Sequence, residues 1–377
     1  MSLWVLWGRF LKSTAMRVGR ARRRRSAMCS RTFPKVPTKS LRCPTPSVTF
    51  PLQCSTRSSP MQSTSTSISL ASSFRGGRCT PAVDQAAALI DVGSTSVSLW
   101  VASRLPDGFC THHKEKRLLR LGAARDAHGR LSDDAIQGFV ETLLEFRRSV
   151  GDHPARVVAT ASLRQASNRH EIQDTVRKVV GWDLEILTGR QEALAAYQGT
   201  VFATPSSAPQ LVVDVGGGST ELIWGVNGQA QRVESLPFGV VRLRHEFGLV
   251  GQPSQEQLEQ AHGWLSPFFR GLRSAPSGEA IACSGTMKRL IGLHCEQFPP
   301  PHDQQLSRSE LEAVWRQVLG LGISQPKGLP GLDPGRSDLL LAGAFIFREI
   351  SDALEVDNWS LTAGGVRWGL MDQLLSD

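Results

Sequence analysis

Apolar and polar positions follow a regular period only from Gln85 onward. Ala86 to Ile90 is a continuous apolar run ending in Asp91-Val-Gly-Ser-Thr-Ser. Beyond it, Val97, Leu99 and Val101 alternate with Ser98, Trp100 and Ala102. A buried run, a glycine turn and a period of two predict strand, tight turn, strand. The same order returns at Leu211-Val-Val, Asp214-Val-Gly-Gly-Gly-Ser-Thr-Glu221 and Leu222-Ile-Trp, with the two aspartates 123 positions apart. That spacing is about one domain length. It predicts a duplicated domain whose two turns face one another across a cleft.

Between the repeats, Arg156-Val-Val-Ala-Thr160 and Asp183-Leu-Glu-Ile-Leu187 read as short strands. Each leads into a helix start, at Ala161-Ser-Leu-Arg164 and at Thr188-Gly-Arg-Gln-Glu192, and helix N-termini after strands are where anions collect. Leu258, Ala261, Leu265 and Phe268 recur at helical spacing and read as core packing. Leu339 to Phe347 reads as a buried helix. It is half the ~18 residues a membrane span needs, so no membrane association is expected.

Residues 1–85 have a different texture. They hold 15 Lys and Arg against one acid, Asp84, together with 24 Ser and Thr and an Arg cluster at Arg22–Arg25. The remaining 28 basic and 33 acidic residues leave 86–377 at a net −5. Too little apolar surface is present in the leader to offset its ordering entropy, so 1–84 is expected to be disordered. Arg-rich, Ser-rich and acid-poor is the composition of a transit peptide. The long Ser/Thr stretch from Ser55 to Ser73 leans toward plastid over mitochondrion. Translation starting at or after Met61 is the alternative, and it would leave the protein cytoplasmic. With the positive excess confined to the leader and the nine Trp scattered, nucleic acid is not an expected partner. The seven cysteines show no C-x-x-C pair and read as isolated thiols. His112-His113, ahead of Lys114-Glu-Lys-Arg117, has no second ligand pair at useful spacing and reads as a solvated loop or strand edge.

The glycine turns carry the candidate chemistry. Glycine lets the backbone approach a ligand closely, and successive N–H groups can then cradle an anion. An Asp at the strand end can hold a metal that bridges phosphates. No G-x-x-x-x-G-K-[ST] occurs, which excludes a P-loop. The glycines lead into strand and not helix, which excludes a Rossmann turn. Read without relatives, Glu192 could be an ordinary helix-start acid, Glu221 could face solvent, and Arg164 could pair with a body carboxylate.

From about Ala86 to Leu375 the chain resembles the exopolyphosphatase / guanosine pentaphosphate phosphatase (Ppx/GppA) family. The segments that carry the resemblance are Ile90–Ser96, Thr160–Asn168, Gly189–Ala193, Val213–Glu221, Ser235–Leu243, Ser284-Gly-Thr286 with Arg336-Ser-Asp338, and Gly364–Gly369. The resemblance implies an α/β fold of two actin-like (ribonuclease H-like) domains with the active site in the cleft between them. The expected boundaries are 85–207 and 208–377, with the last helix free to pack back on the first domain. By the same resemblance, Glu192 matches the catalytic base, and Asp214 and Glu221 match the acidic pair associated with Mg²⁺. Asp91, Gly93, Ser94 and Thr95 match the first phosphate loop, and Gly216, Gly217, Gly218 and Ser219 the second. Arg164 matches an arginine near the substrate phosphates. The family often forms homodimers, an expectation that no interface signal in this sequence addresses.

The chain departs from the family at Thr95, where Asn is usual, and at Ser98, where a basic residue is usual. Cys283 replaces a common Gly, and Gln191 a frequent acid. The expected function is Mg²⁺-dependent release of terminal phosphate from inorganic polyphosphate or guanosine pentaphosphate (pppGpp). The net −5 of the body favours a short substrate unless arginines such as Arg242 and Arg244 line a local groove. Two rivals remain at this stage. One is a non-catalytic sensor of pppGpp or ppGpp, motivated by Thr95 and Ser98. The other is an ATPase or kinase of the actin-like group.

Overall fold

The computed structural model describes residues 85–297, 304–321 and 337–376, and all of them belong to one compact unit. The leader 1–84 and Arg336 lie outside the described residues. Two mixed sheets organise the rest.

The first sheet begins with the repeated pattern. β1 (Ala87–Val92) and β2 (Ser96–Leu105) pair antiparallel, and β3 (Gly108–Leu118) adds an antiparallel edge. β4 (Ala155–Ala159) and β5 (Leu184–Ile186) continue parallel on the other side, giving the order β3-β2-β1-β4-β5. One face is covered by α1 (Asp133–Val150) and α3 (Arg169–Val180), which bury Phe139, Leu143, Phe146 and Ile172 with Ile90 and Leu99. α1 has Ser132 as N-cap, acids in its first turn and arginines in its last, the arrangement the helix dipole favours.

The second sheet repeats the plan. β6 (Gln210–Val215), β7 (Thr220–Val226) and β8 (Gln229–Leu236) are antiparallel, and β9 (Glu279–Ala282) and β11 (Asn358–Leu361) are parallel. β10 (Gln305–Ser307) adds an outer edge, giving β10-β11-β9-β6-β7-β8. Its core includes α9 (Leu340–Leu354), which is buried on nearly all sides, as the run Leu339–Phe347 predicts. α6 (Gln255–Leu265) buries Ala261 and Leu265 in the same core, although the helical hydrogen bonding changes to a 3₁₀ turn at Ser266–Phe269.

One helix links the two sheets. α4 (Gly189–Ala203) packs Ala193 and Tyr197 against Val212 and Ile223 of the second sheet. Its opposite face places Ala195 with Leu89, Trp100 and Val158 of the first. The final helix, α10 (Val366–Leu374), joins that cluster through Leu370 and Met371. Arg104 pairs with Asp372 at 2.6 Å, and Arg156 bonds Gln373 at 3.0 Å. α4 and α10 cross with backbones in contact: a Cβ at Gly199 would collide with the carbonyl oxygen of Gly365.

Two smaller expectations meet the structure differently. His112 and His113 lie on the edge strand β3, bonded to Ser103 and Glu115, as a solvated edge requires. Cys110 takes part in a disulfide. Among the described residues, therefore, only Cys283 and Cys295 are isolated thiols.

Candidate active site

The two glycine turns are built alike. Asp91 pairs across the ladder with Ser98, and Asp214 pairs across its own with Glu221. Gly93 N–H donates to Ser96 O at 3.0 Å, and Gly216 N–H donates to Ser219 O at 3.0 Å. In each loop the next two amides, of Ser94 and Thr95 and of Gly217 and Gly218, have no acceptor among the described residues. Buried amides of this kind require a partner, and closely spaced ones form an anion cradle.

The loops face one another at contact distance. A Cβ placed on Gly217 would lie 2.7 Å from Ser94 Cβ, and one on Gly218 would lie 3.0 Å from Ser94 Oγ. Neighbouring elements hold the second loop from behind. Val240 and Val241, opening α5 (Val240–Phe247), donate their amides to Gly216 O and Gly217 O. Gln165 donates to Gly218 O at 3.3 Å.

Glu192 enters from α4. Thr188 caps that helix and Gln191 completes the capping box, receiving the Thr188 amide at 2.8 Å. An acid at this position could make the same capping contact, so the contact does not explain the departure. Glu192 in the same turn is buried, and Arg164 Nη1 donates to its Oε2 at 2.8 Å. The same nitrogen donates to Leu187 O at 2.9 Å. Arg164 closes α2 (Ala161–Arg164), so it is fixed between two partners. Of the readings open for it, pairing with a body carboxylate is the one observed, and the carboxylate is that of Glu192.

Four carboxylates converge here. Burial pushes the Glu192 carboxyl up, the Asp91 charge adds to this, and Arg164 and the Thr160 hydroxyl oppose it. Asp214 is pushed up to about 7 by burial and by the Glu192 and Asp91 charges, against Arg367. Glu221 is fully buried and does not face solvent. Burial and the charges of Glu192 and Asp214 raise it well above the usual carboxylate range, while the hydroxyls of Ser235 and Ser219 oppose this. Ser235 Oγ donates to Glu221 Oε1 at 2.8 Å. Arg367 Nε stands 4.0 Å from Asp91 Oδ2.

Gly189 makes this convergence sterically feasible. Any Cβ there would collide with Ser235, the residue that holds Glu221. Only glycine lets the N-terminus of α4, and Glu192 with it, lie directly on the second sheet.

The donor set suits magnesium. Two carboxylates in direct cross-strand register repel unless a proton or cation lies between them. Ser219 and Ser235 bring hydroxyl oxygens to Glu221, and oxygen is the donor that Mg²⁺ prefers. Among the described residues no group of three or more His, Cys, Asp or Glu is arranged to hold a metal. A pair is still enough for an ion that keeps several waters and takes its other ligands from phosphate.

Ser235, Gln165, Thr160 and Arg367 belong to the site, yet the sequence reading gave them no role. All four lie inside the motif segments quoted above, and that membership was the available signal.

Comparison with known proteins accounts for this pattern. A guanosine-5′-triphosphate,3′-diphosphate pyrophosphatase of Vibrio vulnificus is 30% identical over 297 residues, which are 77% of this chain and 59% of that protein. The chain thus spans less than two thirds of that relative. A solved Ppx/GppA family member from Aquifex aeolicus is 26% identical with a TM-score of 0.66, over 77% of this chain and 98% of that one. An exopolyphosphatase from Cytophaga hutchinsonii, 20% identical, shares the fold with a TM-score of 0.68 over 77% of this chain and 98% of its own. The two sheets with facing loops are thus the two actin-like domains of that fold. The Ppx/GppA phosphatase family profile matches residues 101–377, and with the duplicated Asp-Gly hairpins this chain belongs to that family.

Proposed function

We propose that the chain is a phosphohydrolase that releases terminal phosphate from guanosine pentaphosphate or inorganic polyphosphate, with Glu192 as the base. The observation that carries this reading is the meeting of Glu192, from the helix between the sheets, with Asp214 and Glu221 beneath two facing loops. Relatives named for the guanosine substrate favour that choice.

Anhydride hydrolysis needs a positioned water, in-line attack and charge neutralisation. Glu192 takes a proton from water as its oxygen attacks the terminal phosphorus. The bond to the bridging oxygen breaks, orthophosphate leaves, and the shortened phosphate departs with the bridging oxygen. A carboxyl raised above the ordinary range is a stronger base than an ordinary glutamate, and Arg164 opposes that rise. The amides of Ser94, Thr95, Gly217 and Gly218 receive phosphate oxygens. Asp214 and Glu221 would hold Mg²⁺, which supplies charge neutralisation on those oxygens.

The test is phosphate release by the full chain with Mg²⁺, offering polyphosphates of several lengths, pppGpp, ATP and GTP. Release from one of the first two substrates, lost in Glu192→Gln, is expected. Tight pppGpp binding without turnover would replace the enzyme with a sensor, and turnover of ATP alone would replace it with an ATPase.

A further inference from the structure

Three cations lie together beside the candidate site, and nothing described so far uses them as a group. Asp91, Ser98 and Lys116 face one another across β1, β2 and β3, and Trp100 pairs with Lys114 one step along. Side chains alternate along a strand, so Lys114 shares the sheet face of Asp91, the face that α10 covers. Its Nζ sits over the Trp100 ring, 5.3 Å from the centroid, and Trp368 of α10 packs on the same ring at 6.5 Å. Arg367, the next residue, reaches Asp91. The third cation, Lys288, comes from α7 (Gly285–His294).

The placement of these residues runs against ordinary electrostatics. Lys288 and Arg367 stand in the first turns of α7 and α10, neither of which has an acid there. The two helices start side by side: a Cβ on Gly365, the N-cap of α10, would lie 3.2 Å from Cys283 O, just before the Ser284 cap of α7. Helix N-termini favour anions and disfavour lysine and arginine. Among the described residues neither Lys114 nor Lys288 has a carboxylate partner. Although both side chains reach solvent, partial desolvation and then neighbouring charges, Arg367 foremost, hold both ammonium groups below their usual range. Two helix starts and three mutually repelling cations are a local cost that an anion would remove.

We propose that Lys114, Lys288 and Arg367 form a second anion subsite, beside Asp91, for phosphate groups of the substrate beyond the one being released. The proposal rests on the phosphohydrolase reading for what the first subsite holds. The chemistry is that of a second phosphate cluster on the same molecule, either the 3′-diphosphate of pppGpp or the internal phosphates of a polyphosphate chain. Lysine, a compact point charge on a flexible stem, suits either.

Binding is measured by calorimetry on the full chain carrying Glu192→Gln, which prevents turnover, with and without Lys114→Met/Lys288→Met. The ligands are inorganic triphosphate, long-chain polyphosphate and pppGpp. Both lysines are exposed, so melting curves are expected to agree, and Lys114→Gln/Lys288→Gln serves as a second variant. The double variant is expected to lose about tenfold in affinity for at least one larger ligand and less than about twofold for triphosphate. Loss confined to pppGpp assigns the 3′-diphosphate, and loss confined to polyphosphate assigns the chain. Unchanged affinity for all three, equal loss for all three, or no binding of any would overturn the subsite. Absence of hydrolysis by the Glu192 protein would sink the phosphohydrolase reading without altering this result.

Discussion

Arg164 Nη1 donates to Glu192 Oε2 at 2.8 Å and, from the same nitrogen, to Leu187 O at 2.9 Å. The guanidinium therefore fixes the carboxylate in position and opposes the upward push of burial on it. Arg164→Met removes both effects. The acid limb of the pH–rate profile for phosphate release is expected to move to higher pH. Activity at neutral pH should fall by roughly ten- to a hundredfold, a part of the ~10²–10⁴-fold that a general base contributes. Arg164→Lys keeps the charge and should recover part of the shift but less of the rate. An unshifted acid limb in Arg164→Met would refute the pairing as the control on Glu192.

Gly189 and Ser235 make a second, steric link between the sheets. Gly189→Ala drives a methyl group into Ser235, and overpacking of this kind costs about 1–3 kcal/mol. The double variant Gly189→Ala/Ser235→Gly relieves the collision but loses the donor to Glu221. Thermal melts should therefore recover in the double variant while phosphate release does not. Recovery of both would show that Ser235 has no role beyond filling space.

These two links also mark the limit of what the sequence reveals. The hairpins at Asp91 and Asp214 are legible because a buried run, a glycine turn and a period of two leave a local signature. The first half of α9 is legible as the apolar run Leu339–Phe347, and the strand ahead of α4 as a short apolar stretch that stops at Gly189. The pairing of Arg164 with Glu192 is a contact across 28 positions between two helices, and no local period encodes it. Lys114 sits in a charged run that reads as a solvated edge, and only the return of α10 across the sheet gives it neighbours. Gly199 looks like a weak point in a helix until the backbone of Gly365 is found against it. Local physics writes elements into the chain, whereas the site depends on which elements meet.

Asp214 gives the protein a pH signature. Its folded pKa is about 7, against an ordinary value of 3.8. A raised carboxyl stays protonated in the folded state while the unfolded chain ionises. Its contribution is therefore fully favourable below pH ~4 and is lost progressively as pH rises to ~7. In EDTA, Asp214→Asn removes this loss. The variant is expected to melt above the parent at pH 8, by a margin that shrinks toward pH 5, while losing activity. Mg²⁺ must displace the proton below pH ~7, so it should raise the parent's melting temperature more at pH 8 than at pH 6. Calorimetric scans at these pH values check both signs. A variant that melts at or below its parent at pH 8 would contradict the crowding of carboxylates described here.

Asp338 ties the two sheets together at another point, and the tie reaches the first glycine loop. Its carboxylate receives Arg120 through two hydrogen bonds, at 2.9 and 3.2 Å, and Arg244 Nε lies 3.4 Å away. Arg120 holds a left-handed backbone (φ 51°), and its amide donates to Thr95 O at 2.9 Å. Asp338→Ala leaves two guanidinium groups repelling each other, a cost of about 1–2 kcal/mol given that both arginines are partly solvated. Raising the ionic strength screens that repulsion and should narrow the gap in melting temperature from the parent. The kinetic consequence should depend on which arginine is removed. Arg120→Ala frees the turn that positions Thr95 and is expected to raise KM several-fold for the released substrate. Arg244→Ala, which does not touch that loop, should lower stability with little change in KM. Equal KM values in the two variants would show that the tie to Asp338 is structural only and does not extend to the loop.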